Sequence, residues 1–494
     1  MGRVGGVGGE GRAPVLSRRD VLRRGACALG AATLPFATRA AEVSPVMATL
    51  SDYMAAARDR ALPGPIVEHA AHHVLDTVAA MISGAELPPG RAALALARAE
   101  AGLPVATVVA SGTATGAVDA ALVNGVLAHS DETDDSHGPS QSHPGASIVP
   151  AALAMGEQLG ISGRHYLRAV TLGYDVGTRL TMALGGPAFR ESTRRSTHAL
   201  AGTFGSAAAA GCAAAFDPRR MRWLLDYASQ QAGGYAVWGR DTDHIEKAFV
   251  FGGMPARNGV TAALLVRAGW NGVDDVFSGV DNFFQVNAPA GDRSVLVNGL
   301  GQRFEVANTD IKKWSVGSPI QAPLDALESL RKRRPFSAAD VTGVTVRLAP
   351  TVGAVVDNRD MPDICLQHMM AVMLLDGTAS FKASHDKARM QQAAVLEQRK
   401  KVRYVPDETL AKLLPVRVAI VEVILADGTQ LTDRVEAVRG TPRNPMTRAE
   451  IVAKARDLIG PVLGSSRASA LIDALLTLDS RPDVRSLRPL LQRT

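Results

Sequence analysis

Four carboxylates fall within five positions in His129-Ser130-Asp131-Glu132-Thr133-Asp134-Asp135-Ser136-His137, and His143-Pro144-Gly145 follows six residues later. Acids this close repel one another unless they are solvated, hydrogen-bonded or paired with cations. Three readings fit the pattern. One is a solvated loop at a helix end. Another is a metal site, since carboxylates and histidines are competent ligands, but no His-x-x-x-His, His-Glu-x-x-His or cysteine spacing supports it. The third is acid/base chemistry on a small anion, with His143 and a carboxylate in the pocket wall.

Ser196-Thr197-His198 runs into the Ala-rich segment Ala199 to Ala215. A histidine at a helix start lies near unpaired N–H groups and the positive dipole end, which hold a bound carboxylate and keep the imidazole neutral. A satisfied core histidine is the plainer alternative. In Asp243-His244-Ile245-Glu246-Lys247-Ala248-Phe249-Val250-Phe251-Gly252-Gly253, an isolated lysine among apolar residues can serve as a fixed cation for a carboxylate. Lys312 and Lys313, ahead of Trp314-Ser315-Val316-Gly317, supply a second candidate cation.

The elements that must position these groups are mostly helices. Ile66, Ala70, Val74, Val78 and Ile82 recur every four residues, one face of a helix over 66–82. Similar patterns run over 92–102, 116–129, 147–159, 198–215 and 257–268, broken by Leu87-Pro88-Pro89-Gly90 and Gly185-Gly186-Pro187. Their small side chains predict closely approaching helices. After residue 308 the texture changes. Residues 341–348 alternate like a half-buried strand, and 416–425 and 430–435 read as two strands joined by an Asp-Gly turn. Helical patterns at 320–331 and 364–375 lie between them. Thr447-Arg448-Ala449-Glu450 is a capping-box signature that returns the chain to helix. The expected fold is mainly α with a smaller α+β domain: a discontinuous all-helical domain over 48–308 and 437–494, and the α+β domain over 309–436.

The 494 residues, 46% apolar and 21% charged, exclude disorder and collagen, and three cysteines cannot staple a chain of this size. Of the formal charge of +6, five units belong to residues 1–40, where seven arginines face only Glu10 and Asp20. The remainder lacks the clustered basic and aromatic residues of a nucleic-acid surface, so no nucleic-acid partner is expected. Ser17-Arg18-Arg19-Asp20-Val21-Leu22, a weakly apolar run from Gly25 to Phe36 and small residues up to Ala40 resemble a twin-arginine signal peptide over residues 1–40. That predicts export to the periplasm. No later stretch reaches the roughly 18–20 uninterrupted apolar residues of a membrane span, so no stable membrane anchor is expected once the leader is removed.

In chain order, His73-Val74-Leu75-Asp76-Thr77, Asn124-Gly125-Val126-Leu127-Ala128-His129, the acid loop with His143-Pro144-Gly145-Ala146, Leu172-Gly173-Tyr174-Asp175-Val176-Gly177, Gly202-Thr203-Phe204-Gly205 and Ala256-Arg257-Asn258-Gly259 resemble the MmgE/PrpD family over about residues 48–480. The resemblance implies a homodimer with a pocket between a helical and an α+β domain, acting on small di- or tricarboxylates without metal or organic cofactor. It carries the acid-loop carboxylate onto Glu132, the hydroxyl residue onto Ser136, the two histidines onto His143 and His198, and the lysines onto Lys247 and Lys312.

Departures from the family pattern concentrate in the substrate-reading half. Many relatives have aspartate where Glu132 stands and threonine where Ser136 stands. Gln321 falls where relatives commonly place a histidine. His368 falls near a frequent tyrosine, with Arg359 as a further candidate carboxylate clamp. The expectation is a cofactor-independent lyase, a dehydratase or hydratase, acting on a small polycarboxylate. His198 and His143 move protons, Glu132 and Ser136 position them and the leaving group, and Lys247, Lys312, His368 and Arg359 bind substrate. An epimerase, a decarboxylase using the same groups, and a non-catalytic periplasmic carboxylate-binding protein are the alternatives.

Overall fold

A computed structural model describes residues 43–493, and the twin-arginine leader expected over residues 1–40 lies outside them. The expected helices are present with ends within four residues of the pattern. They are α1 (Gly64–Gly84), α2 (Pro88–Ala99), α3 (Ala117–Ala128), α4 (Gly145–Leu159), α6 (Thr197–Ala213) and α7 (Met254–Arg267), then α8 (Ser318–Arg333) and α9 (Leu366–Asp376). Between α4 and α6 lies α5 (Gly163–Leu184), which periodicity alone did not single out. The terminal helices are α10 (Arg448–Leu463) and α11 (Ser465–Leu476). At α10 the capping box is complete: the Glu450 N–H donates to Thr447 Oγ1 and the Thr447 N–H donates to Glu450 Oε2.

Small residues let the first helices approach closely. All seventeen residues of α6 are buried, and a β-carbon on Gly177 of α5 would stand 2.3 Å from the Ala201 carbonyl oxygen of α6. Larger side chains would force the two axes apart and move whatever α6 carries at its N-terminus. One hydrophobic core gathers α1 to α7 and also takes in Ile451, Ala455, Leu458 and Ile459 of α10 and Leu471, Ile472 and Leu475 of α11. The continuous helical stretch Ile245–Arg267 is long and apolar enough to cross a bilayer, with an 18-residue window of mean hydropathy 1.2, but 67% of that window is buried within the protein.

A second core spans residues 314–425 around a four-stranded sheet. Its strands are β1 (Val341–Leu348), β2 (Val402–Pro406), β3 (Ala419–Leu425) and β4 (Gln430–Val435), in the order β2-β1-β3-β4. β1 runs parallel to β2, with Val344 opposite Val402, and antiparallel to β3, with Val346 opposite Val421. Ala419, Val421, Val423 and Leu425 alternate into the core, as a sheet with one covered face requires. Gly428 closes the β3–β4 hairpin at φ +82°, within the expected Asp-Gly turn. The one strand of this sheet not anticipated is β2, a short edge that follows Arg399-Lys400-Lys401 and ends in proline. Cys212 and Cys365 are free and buried.

Candidate functional site

The acid loop is not a solvated helix end. Asp131, Glu132, Asp134 and Asp135 are all buried, and each has its own partners drawn from elsewhere in the chain. Asp135 accepts from His73 Nδ1 at 2.9 Å, from the Tyr174 hydroxyl and from the Gly145 N–H, which ties the loop to α1, α5 and the start of α4. Asp131 accepts from the Thr133 N–H and lies 2.9 Å from His385 Nε2. Lys454 of α10 donates to the Thr133 carbonyl at 2.9 Å and pairs with Asp76 of α1. The loop is thereby clamped from both ends of the chain, and its other two acids can face inward.

Those two are Asp134 and Glu132. Asp134 accepts from His129 Nδ1 at 2.9 Å and from His143 Nδ1 at 3.2 Å. An ionised carboxylate only accepts, so each ring presents an Nδ1–H to Asp134. Burial alone would raise the Asp134 pKa, but His129, His143 and Lys312 together hold it well below the usual carboxylate range. Glu132 is likewise opposed by burial and held well below its ordinary value by Lys247 and Lys312. Lys247 Nζ pairs with Glu132 Oε1. Lys312, itself buried, donates to the Glu132 carbonyl at 2.7 Å and lies 3.7 Å from Oε2 and 3.8 Å from Asp134 Oδ1.

His198 stands in the first turn of α6, whose N-cap Ser196 accepts from the Ala199 N–H. Its Nδ1 is buried without a hydrogen-bond partner. Its ring lies 5.2 Å from that of His143, flat against Phe251 at 3.7 Å, and edge-on to Trp238 at 6.0 Å. Burial first, then the neighbouring imidazoles and Lys247, push its pKa well below 6.5. Burial also lowers His143, although Asp134 opposes the shift. Both imidazoles therefore rest neutral at pH 7, which is the form that takes up a proton.

Phe251 reaches this position because Phe249–Gly253 forms a wide five-residue π-turn between Ala248 and α7. Gly252 of that turn packs on Gly125 of α3 so closely that a β-carbon on either would overlap the other's carbonyl oxygen. The turn thus sits on the helix that ends at His129, and Phe251 stacks on His129 as well, at 4.6 Å.

Of the residues expected at the site, His143, His198, Glu132, Lys247 and Lys312 come together, and no hydrogen bond or ion pair joins Ser136, His368 or Arg359 to them among the described residues. Ser136 pairs through its backbone with Asp310 across a short bridge, and its half-buried hydroxyl makes no hydrogen bond among the described residues. His368 lies wholly buried on α9, where burial and then Arg399 push its pKa down to about 4. Arg359 is on an exposed loop and makes no ion pair among the described residues. Gln321 acts structurally, because its amide accepts from the Trp314 N–H and donates to the Trp314 and Val316 carbonyls, which fixes the turn after Lys312 and Lys313.

Sequence reasoning gave no role to His129, Asp134 and His244, and it missed Phe251, Trp238, Asp363 and His385. His244 is buried beside His129, with ring centroids 5.2 Å apart, and its backbone takes φ +63°. Asp363, from the turn before α9, has its pKa raised to about 7 by burial, with His385 opposing. Among the described residues, two sets of three donors lie within 4.8 Å of one another and could hold a metal ion: His129, Asp134 and His143, and His129, Glu132 and His244. A separate recess of about 260 Å³, lined by Glu68, His72 and Arg448, contains none of these groups.

Comparison with known proteins places the same residues in a wider setting. Residues 48–294 match the MmgE/PrpD N-terminal domain and residues 314–480 match the MmgE/PrpD C-terminal domain. The chain is 26% identical to a cis-aconitate decarboxylase of Aspergillus terreus, over 87% of this chain and 92% of that one. It is 24% identical to the cis-aconitate decarboxylase-like protein oryM of Aspergillus oryzae, over 90% and 97%. It is 26% identical to the cis-aconitate decarboxylase of Homo sapiens, over 76% and 79%.

Proposed function

We infer a function from the premise that the chain belongs to the MmgE/PrpD family: it is a lyase that acts on a small di- or tricarboxylate and makes or quenches negative charge on the carbon next to a carboxylate. The observation that carries this reading is the pair of neutral imidazoles, His143 and His198, 5.2 Å apart beside a Glu132 carboxylate shared by two lysines. A substrate carboxylate that displaces Glu132 from Lys247 would be held by an ammonium group in a nearly dry site, where charge stabilisation is strongest. The substrate's own negative charge favours protonation of His198, so the resting base becomes the acid that delivers a proton to carbon.

Loss of carbon dioxide is the bond cleavage this arrangement favours. The aromatic wall of Phe251 and Trp238 shields a departing carboxylate from water while Lys247 holds one that stays, and Ser136, expected to handle a leaving hydroxyl, makes no hydrogen bond toward the imidazoles among the described residues. The relatives' decarboxylase names point the same way. Dehydration is the second reading, because Asp363, with a pKa raised to about 7 by burial, is an acid able to protonate a hydroxyl. The expectation of export to the periplasm stands as part of the proposal, tested by fractionating cells that express the chain with Arg18 and Arg19 replaced by lysine.

The deciding experiment incubates purified protein in deuterated buffer with cis-aconitate and other small di- and tricarboxylates, following carbon dioxide release and products by NMR. Decarboxylation gives carbon dioxide and one solvent-derived deuteron on the product carbon. Dehydration gives an unsaturated acid without carbon dioxide. Ligand-dependent thermal stabilisation without any product across the series would reject the lyase reading in favour of a carboxylate-binding protein.

A further inference from the structure

We propose that His129, His244 and Glu132 form a binding site for a divalent transition-metal ion of the zinc class, and that its occupation excludes the Lys247–Glu132 ion pair. The site does not depend on the reaction proposed above. Its three donors come from the end of α3, the acid loop and the segment before the π-turn, so no short spacing in the sequence announces it.

Three observations converge on this site. The donor atoms of the three residues lie within 4.8 Å of one another. Neighbouring donors around tetrahedral zinc stand roughly 3.3 Å apart, from bonds of about 2.0–2.1 Å, so the three donors already lie within about 1.5 Å of that spacing. His129 and His244 are both buried, at 0% and 7% exposure, and the Nε2 of each has no hydrogen-bond partner among the described residues. A buried imidazole nitrogen without a partner forgoes a hydrogen bond it would have in water. The other ring nitrogen of His129, Nδ1, donates to Asp134, and this carboxylate–histidine pairing is the arrangement that orients metal-bound histidines. Finally, His244 takes φ +63°, a left-handed conformation that costs a non-glycine residue energy and recurs at functional positions.

The competing cation is Lys247. Lys312 is buried with its ammonium group already donating to the Glu132 carbonyl, so it cannot leave. The Lys247 side chain is 18% exposed and can swing out, which frees one Glu132 oxygen for the ion. Two imidazoles and a carboxylate then leave a fourth position open, the ligand number of exchangeable rather than purely structural zinc. Nitrogen and oxygen donors in this set suit zinc or copper better than magnesium or calcium.

Zinc is titrated into the mature chain, purified without an affinity tag, against a chromophoric chelator, with thermal melts run in parallel. One zinc per chain is expected, with a rise in melting temperature. His244→Ala should weaken binding by about two orders of magnitude through loss of one of three ligands. Lys247→Gln should tighten it about tenfold, because a like-charged competitor has been removed. Absence of a stoichiometric ion overturns the proposal. So does undiminished affinity in His244→Ala, which would put the ion on His129, Asp134 and His143 instead. If His244→Ala does not fold, Lys247→Gln decides alone: an affinity equal to the parent's rejects the site.

Discussion

The ring of Phe251 lies against that of His198, with centroids 3.7 Å apart and planes 13° from parallel. A flat apolar cover on an imidazole disfavours its charged form, so this contact helps keep His198 neutral. Phe251→Leu keeps an apolar side chain but loses the stacked ring. It should cost about 1–2 kcal/mol of stability and let the His198 pKa rise toward 6.5. The acid limb of kcat/KM should then move to higher pH. An acid limb that stays in place would separate Phe251 from His198 chemically.

Stability should fall on both sides of neutrality, for opposite reasons. Burial holds His143, His198 and His244 below their ordinary value of 6.5, so each is neutral in the fold while the unfolded chain takes up protons. Their contribution is complete above pH 6.5 and is lost as the pH falls toward the folded-state values. His385 has the other sign: burial would lower it, but Asp131 raises it to about 9. Its contribution is full below 6.5 and gone once the pH has risen through 9. Melting temperature measured from pH 5 to 10 should therefore peak near neutrality, and His385→Gln should flatten only the alkaline limb, an effect on the order of 2 kcal/mol.

The two lysines on Glu132 should behave differently. Removing Lys312, 2% exposed, leaves Glu132 and Asp134 short of their shared buried cation. Lys312→Met should destabilise the fold by about 3–5 kcal/mol in urea denaturation. Lys247→Met leaves Lys312 in place and lies nearer solvent, so its cost should be about 1 kcal/mol, while turnover falls by at least about a hundredfold. Equal stability losses in the two variants would contradict this division.

Gly252→Ala should be poorly tolerated. The new β-carbon would meet the Gly125 carbonyl oxygen at 1.9 Å, and only a backbone shift could relieve it. A loss of about 2–4 kcal/mol is expected from such overpacking, together with a changed Phe251 environment in near-ultraviolet circular dichroism. Gly233→Ala, where a β-carbon meets nothing within 4 Å, is the matched control and should stay within about 0.5 kcal/mol.

The sequence announced what is periodic or local. Ile66 to Ile82 advertised α1, the alternation of 341–348 and 430–435 gave two strands to the residue, and Thr447 with Glu450 marked the start of α10. The five groups that converge were all visible as chemistry-bearing types in their motifs. Burial of the acid loop was not legible, because its partners are His73, Tyr174, Lys247, Lys312, His385 and Lys454, scattered over nearly four hundred residues. Phe251 was one apolar residue among several, and only the Gly252-Gly253 pair beside it hinted at a close backbone approach. His244 carries its left-handed backbone without the glycine or asparagine that usually signals one. The surroundings of Arg359 and His368 were not legible either, because a charged or ring-bearing side chain says nothing by itself about which way its element faces.

Lys454, which holds the Thr133 carbonyl and Asp76 together, has consequences for the order in which the protein matures. Its helix emerges from the ribosome more than three hundred residues after the carboxylates it braces. A nascent polypeptide halted before α10 would hold every proton-handling group and still lack the strut that fixes Glu132 and Asp134 in place. Competence thus arrives only once residue 454 is in place, and a truncation that removes it should silence a chain in which His143, His198, Lys247 and Lys312 are all intact.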